Sequence, residues 1–512
     1  MSSEEIDRYL HNGIGIDELV RAVENGTLND QDEAEPVPDP AGFTKPDDYS
    51  DAGNADVFSS MNIHRLRWVK SLGWISWDGK QWKANEQQAT VFALEFTEKM
   101  LKDALEDYRA GTNTDAKTGK IVVSEDARQY YQHARKSRSM NAIKSMMELS
   151  KAKLQIDAND LDSNYWELNT AQGIIDLRTG NIRPHDPTSF CTHIAPYVPG
   201  EGSREVFHEF VQQITGADPK LVRYLQIILG SMLYGKIFME ALFIVLGNGR
   251  NGKSTFINVC GHAIGDYCTS IDAQVLTTDR QNRGATLATL RGCRMAIGGE
   301  LEEGQRLSAK TLKRVCSTDD LVIEAKYHQP ETITPSHHII LFSNFLPRVG
   351  STDNGTWRRI KVIPFNADMP TGQNERLDYA DYLLRESGGV VLEWLIDGAR
   401  MFYAAGYRVE EPEAVKAATE AYKDQEDWLK EFLDERCHRR QGDKVRPEDL
   451  YREYQDFARA NGDYCRRRAD FKQAMERAGY SRKIYSGDRY WVGVSIDLKA
   501  RYGSGSSAAY GS

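Results

Sequence analysis

The stretch 242–256, LFIVLGNGRNGKSTF, restricts what this chain can fold into more than any other. Its first five residues are apolar, enough for a buried strand and too few for a helix. A loop rich in glycine and asparagine follows, and Lys253, Ser254 and Thr255 open a helical pattern. Gly247 and Gly252-Lys253-Ser254 fit the spacing G-x-x-x-x-G-K-[ST] in the strand–loop–helix setting that the spacing needs. Backbone N–H groups along Gly247, Asn248, Gly249, Arg250, Asn251 and Gly252 are expected to surround phosphate oxygens, helped by the partial positive charge of the helix start. Lys253 then reaches the β- and γ-phosphates of ATP, and Ser254 ligates Mg²⁺. A chance glycine turn is the alternative; pattern and context together argue against it.

Around this stretch, residues 241–370 read as an open α/β domain. Strands are expected at Leu242–Leu246, 294–298, 339–342 and Ile360–Pro364, with helices between. Ligands in such sheets sit at the carboxyl ends of the strands, where the remaining candidates follow. Glu300, with Glu302 next in order, comes directly after 294–298 and is the expected carboxylate for Mg²⁺ and the attacking water. Asn344 comes directly after 339–342, where a neutral amide can hold a water or the γ-phosphate without adding repulsion. Trp357 anchors Arg358 and Arg359, either of which can neutralise transition-state charge at a neighbouring subunit's γ-phosphate. A hairpin through 321–334 carries Lys326, Tyr327 and His328 near its tip, suited to gripping phosphates along a single strand. Lys313 lies on a short basic helix leading to the same channel.

A nucleic-acid partner has to be squared with a net charge of −10. The acid is concentrated in the first 56 residues, so binding rests on local basic patches rather than on the global field. No apolar run approaches a membrane span, and the N-terminus lacks the pattern of a signal peptide. The seven cysteines are scattered with no C-x-x-C pair, which favours reduced thiols in a cytoplasmic protein over zinc or disulfide frameworks.

Along the chain, 1–55 is expected to be acidic and largely disordered, with a short amphipathic helix at 6–23 and a proline-bearing linker at 29–54. Residues 56–165 read as mainly helical (91–105 and 127–149), preceded by four tryptophans at 68, 74, 77 and 82 and a hairpin around Asp78-Gly79. Those tryptophans are expected to be domain core, in preference to a strand-stacking surface with Arg65, Arg67, Lys70, Lys80 and Lys83. Residues 166–240 hold a hairpin turning at Thr179-Gly180-Asn181 and a helical collar from 207 to 233. A helical bundle spans 371–427. Residues 428–495 read helix, helix, hairpin, a winged-helix-like order in which Arg467, Arg468 and Lys472 form a basic face for DNA. Residues 496–512 end as a disordered tail.

The order phosphate loop, GELEEG, LKRVCSTDDLVIEAKYHQP, LFSNFLP, WRRIKVIPF resembles the superfamily 3 helicases, and most closely the helicase part of phage, plasmid and poxvirus-type primase–helicases. The likeness is strongest over 165–370. It implies an AAA+ core assembled as a ring, usually a hexamer, moving 3′ to 5′ on single-stranded DNA at forks in the bacterial host cytoplasm. It assigns nucleotide and Mg²⁺ roles to Lys253 and Ser254, the acid to Glu300 or Glu302, the sensor to Asn344, the finger to Arg358 or Arg359, and DNA tracking to Lys326 and His328. Family members often carry a primase domain ahead of the helicase. The first 160 residues here show no D-x-D pair on a strand, so a helicase working with a separate primase or polymerase is expected. The rival expectation is an initiator that binds origin DNA through 430–495 and uses ATP only to assemble; an RNA-directed or packaging motor is a third.

Overall fold

The computed structural model describes residues 42–114, 121–277, 289–299, 305–323, 331–349, 354–367, 378–460 and 465–497. The expected helix at 6–23 and the tail beyond 497 lie outside them. The chain divides into two compact units, Met1–Val198 and Pro199–Ser512.

In the first unit, Ser50 caps helix Asp51–Asn62 by accepting from the Gly53 N–H. A three-stranded antiparallel sheet follows, Leu66–Val69, Gly73–Trp77 and Trp82–Ala84. Helices Glu86–Ala110, Glu125–Ser137 and Met140–Leu154 complete the helical part. Where one helix is expected over 127–149 there are two, because the Ser139 hydroxyl caps a new start at the Ala142 N–H. Trp74, Trp77 and Trp82 are buried. Arg65 is buried too, bonded to Asn62 and Glu95 over the Phe92 ring, and Lys83 pairs with Asp78. The cluster is therefore core. A second small sheet, Glu167–Thr170, Gly173–Asp176 and Ile182–Arg183, turns through Gly180 as expected and through a tighter turn before Gly173.

The acidic segment differs from expectation at its end. Residues 42–54 are not linker: Phe43 and Tyr49 pack on the helical core, and Lys45 bridges Asp107 and Asp126 at 2.7 and 2.8 Å. Two aromatic anchors and one cation are enough to order a stretch whose average composition is that of a solvated chain.

The second unit opens with helices Arg204–Ile214 and Pro219–Ser231. The single helix expected from 207 to 233 is broken where Gly216 and Ala217 turn left-handed and Asp218 caps the next helix ahead of Pro219. Five parallel strands follow: β1 Leu242–Leu246, β2 Cys268–Ile271, β3 Met295–Gly298, β4 His338–Ser343 and β5 Ile360–Pro364, in spatial order β2-β3-β4-β1-β5. β2 was not expected. Because every pairing is parallel, all the carboxyl ends share one edge of the sheet. Helix Lys253–Ala263 follows β1, and helix Tyr379–Ala404 packs on it and on Pro219–Ser231. Helix Glu413–Gln425 covers the outer strand β5, where the Thr419 hydroxyl accepts from the Val362 N–H at 3.0 Å.

Two glycines set the closest helix crossing. A Cβ on Gly398 would lie 1.9 Å from the Gln226 carbonyl oxygen, and one on Gly230 would lie 2.3 Å from the Ala399 nitrogen. Beyond this layer, Trp428–Arg436, Pro447–Ala460 and Arg468–Arg477 enclose a separate core of Phe432, Tyr454, Phe457, Phe471 and Trp491, edged by the hairpin Ser481–Tyr485/Asp488–Val492. A carboxylate oxygen of Glu426, in the connection to this region, accepts from the Val349 N–H at 2.9 Å.

Gly398→Val should lower stability by about 3 kcal/mol, read as a fall in the urea midpoint; an unchanged midpoint would refute the crossing. Burial pushes the His337 and His338 imidazoles down to about 4 and about 3. Below pH 6.5 the unfolded chain takes up protons that the folded chain refuses, so stability falls as pH drops, by about 1.4 kcal/mol per pH unit per histidine. His338→Phe should flatten the decline in melting temperature between pH 6.5 and 4.5.

Candidate nucleotide site

Strands β1 and β4 are neighbours in a register that sets Leu246 opposite Ser343. The residues after each strand, Gly247 and Asn344, therefore emerge side by side. The Lys253 ammonium reaches back across this gap, donating to the Asn344 amide oxygen at 2.6 Å and to the Gly247 carbonyl at 3.1 Å. It is buried, as a lysine is only where the fold holds it for a purpose or a partner. Two of the expected residues, 91 positions apart in sequence, are thus in direct contact.

The loop is tied down on its other side. The Asn251 amide donates to the Phe365 carbonyl at 2.7 Å, just past β5, and Phe365 N–H donates to the Leu246 carbonyl at 2.7 Å. Gly247 has no room for a side chain: a Cβ would meet the Asn251 amide nitrogen at 1.9 Å. Gly252 has φ +77, and a Cβ there would press on Ile214 at 2.6 Å. Arg250 is left-handed at φ 62. Asn248, Gly249 and Arg250 form an exposed crest, with open space around Gly249. Ser254 and Thr255 are half-buried in the first turn of Lys253–Ala263. A buried ammonium, a solvent-open crest and a helix start at one strand edge fit a phosphate chain. The Asn251 clamp was not foreseen; its only sequence signal is its place within the loop.

β3 ends at Gly298, opposite Leu341 of β4. The expected acids Glu300 and Glu302 lie outside the described residues. So do Lys326 and His328, although the stem that carries them, Leu321–Ile323 against Glu331–Ile333, pairs antiparallel. Lys313 is half-buried on helix Ala309–Val315.

Arg358 and Arg359 are at the opposite edge of the sheet. Arg359 immediately precedes β5, and its carbonyl accepts from Leu242 N–H at the start of β1, 2.7 Å away. The length of β1, about 16 Å, separates both arginines from the loop of their own chain. They also differ sharply. Arg359 is buried, donating to Glu240 at 2.5 Å and to the Gly355 carbonyl at 2.8 Å, whereas the Arg358 side chain is 67% exposed and 3.3 Å from Glu240. Glu240 was not singled out in the sequence, and nothing local marks it.

The basic face expected near the C-terminus is partly neutralised. Arg467 is exposed at the cap of Arg468–Arg477, but Arg468 pairs with Glu448, and Lys472 and Arg482 both pair with Glu476, at 3.7 and 3.5 Å.

Residues 55–216 match the family model described as D5 N terminal like, and residues 245–359 match a family of unknown function (DUF5906). The helicase-named protein L207/L206 of Acanthamoeba polyphaga mimivirus is 29% identical over 215 residues, covering 40% of this chain and 22% of that protein. The helicase-named 184R of Invertebrate iridescent virus 6 is 24% identical over 345 residues, covering 58% and 35%. The primase-named C962R of African swine fever virus (isolate Warthog/Namibia/Wart80/1980) is 21% identical over 301 residues, covering 54% and 31%. The chain therefore spans at most about a third of the length of these relatives. Among solved structures, the A form apo structure of the NrS-1 C terminal region aligns over 59% of this chain and 78% of that one, at 15% identity and a TM-score of 0.37. Residues 55–216 thus resemble the D5 N terminal like family, a parallel α/β sheet follows them, and the chain is similar to the helicase- and primase-named proteins of large DNA viruses.

Proposed function

We propose that the chain is an ATP-driven replicative DNA helicase of superfamily 3, of phage, prophage or plasmid type. In this reading the parallel sheet is an AAA+ core, residues 428–495 are a winged-helix domain, and the subunits form a ring, a hexamer by family likeness, moving 3′ to 5′ on single-stranded DNA. The observation that carries it is the meeting of Lys253, Asn344 and Gly247 at the carboxyl edge of β1 and β4. When a triphosphate enters, the Lys253 ammonium exchanges neutral oxygens for phosphate oxygens, and the Asn344 amide is released to orient the attacking water. Ser254 and Glu300 would hold Mg²⁺, which spreads the charge of the β/γ oxygens when bound.

Arg358, exposed and remote from its own loop, serves the neighbouring subunit's γ-phosphate, while Arg359 is held to Glu240 as part of the fold. Lys313, Lys326 and His328 track the DNA strand. The initiator reading draws on the separate C-terminal core and exposed Arg467. A forked-duplex displacement assay decides between them: ATP-dependent unwinding supports the motor, and binding without unwinding supports the initiator.

Lys253→Ala should reduce ATP hydrolysis at least 100-fold, and Asn344→Ala should lower kcat about 10- to 100-fold while nucleotide still binds. The arginines should separate by assay. Arg358→Ala should cut kcat 100-fold or more with an unchanged melting temperature. Arg359→Ala should lower the melting temperature, because it leaves the half-buried Glu240 carboxylate without its closest cation. The opposite pattern would reverse their roles.

A further inference from the structure

The hairpin Ser481–Tyr485/Asp488–Val492 has features that the motor site does not use. Ile484, on its first strand, is 67% exposed, the highest value among the exposed large hydrophobic side chains described. Its neighbour Tyr485 is also exposed. An exposed isoleucine alone means little. Here, however, the backbone around it is braced. Tyr485 pairs with Asp488 across a turn in which Ser486 and Gly487 are both left-handed, the geometry of a tight two-residue hairpin turn. Arg446 holds Asp488 at 2.7 Å. The Lys444 ammonium sits 4.8 Å from the Tyr485 ring centre and 5.3 Å from that of Tyr490.

Charge points to the occupant. Ile484 faces Arg489 across the hairpin, and Lys483 precedes it. Among the described residues Lys483 and Arg489 make no ion pair, whereas Arg482, two residues before Ile484 on the same strand, pairs with Glu476, as Lys472 does, and Arg468 pairs with Glu448. A braced apolar side chain next to the turn, with unpaired Arg489 on its own face of the hairpin and unpaired Lys483 on the other, suits a surface that is anionic outside and apolar between its stacked bases. Cations fix the backbone, and an aliphatic side chain enters an opened base step. A protein partner matched to the same tip would have to offer an acidic surface around an apolar socket; a nucleic-acid duplex end offers both without further design.

We propose that this hairpin is a wedge that enters the duplex at a fork junction, with Ile484 seated against the first base pair and Lys483 and Arg489 on the flanking phosphates. The proposal rests on the reading of the chain as a DNA-acting motor, and the test separates the two. A fork carrying 2-aminopurine at the junction base pair is bound by the full chain without nucleotide, and its fluorescence compared for wild type, Ile484→Ala and Ile484→Leu. Wild type and Ile484→Leu should brighten the junction severalfold and Ile484→Ala should not, with equal melting temperatures. With ATP, the ratio of duplex unwinding to hydrolysis on single-stranded DNA should fall at least fivefold in Ile484→Ala. A junction that stays dark with wild type overturns the wedge. So does one that brightens equally with Ile484→Ala, which would leave the tip as a protein contact. If no ATP is hydrolysed on DNA, the motor reading fails, while brightening that depends on Ile484 still upholds the wedge.

Discussion

The hydrogen bond from Lys253 to Asn344 depends on a single register, the parallel pairing of β1 with β4. A strand slipped by one residue would turn every side chain to the opposite face, and the two residues would no longer meet. That register is specified by burial on both faces: nearly every residue of β1 and β4 is inside, as expected of a central parallel sheet covered by helices. The core of the second unit therefore positions the site as well as stabilising the domain. Asn251 and Phe365 repeat the arrangement on the other flank, so the loop is tied to both neighbouring strands.

The two ends of the same sheet carry opposite kinds of group. The carboxyl edge gathers the loop and Asn344, while the amino edge gathers Glu240 and two adjacent arginines. One carboxylate half-satisfies two guanidinium groups, and the difference in their burial divides them. Neighbours in sequence thus acquire different chemistry because the backbone just ahead of β5 points Arg358 outward and Arg359 inward.

How much of this was legible depends on how local the cause is. The strand, loop and helix start at 242–256 were legible because their apolar run, glycines and lysine lie within fifteen residues of one another. β1, β4 and β5 were read as apolar runs. β2 was missed because only Ile271 of its four residues is buried, so no run exists to see. The breaks at Ser139 and at 216–219 were missed because apolar periodicity continues across them, although Asp218-Pro219 is a start signal in plain view. The ordering of 42–54 was hidden by composition, since Phe43, Lys45 and Tyr49 find their partners more than forty residues away. The sorting of Arg358 from Arg359 was illegible for the same reason: it depends on Glu240, 118 and 119 residues distant. The burial of Trp74, Trp77 and Trp82 was legible because large rings near a short hairpin usually close a small core.

The crossing at Gly230 and Gly398 has a mechanical corollary. With backbone against backbone and no side chains between, helices Pro219–Ser231 and Tyr379–Ala404 have no lubricating layer on which to slide or roll. They behave as one beam, and helix Lys253–Ala263 is bolted to that beam by the ring of Phe256 against Trp394. Any displacement of the elements around it is therefore taken up in the connecting segments rather than within this three-helix block.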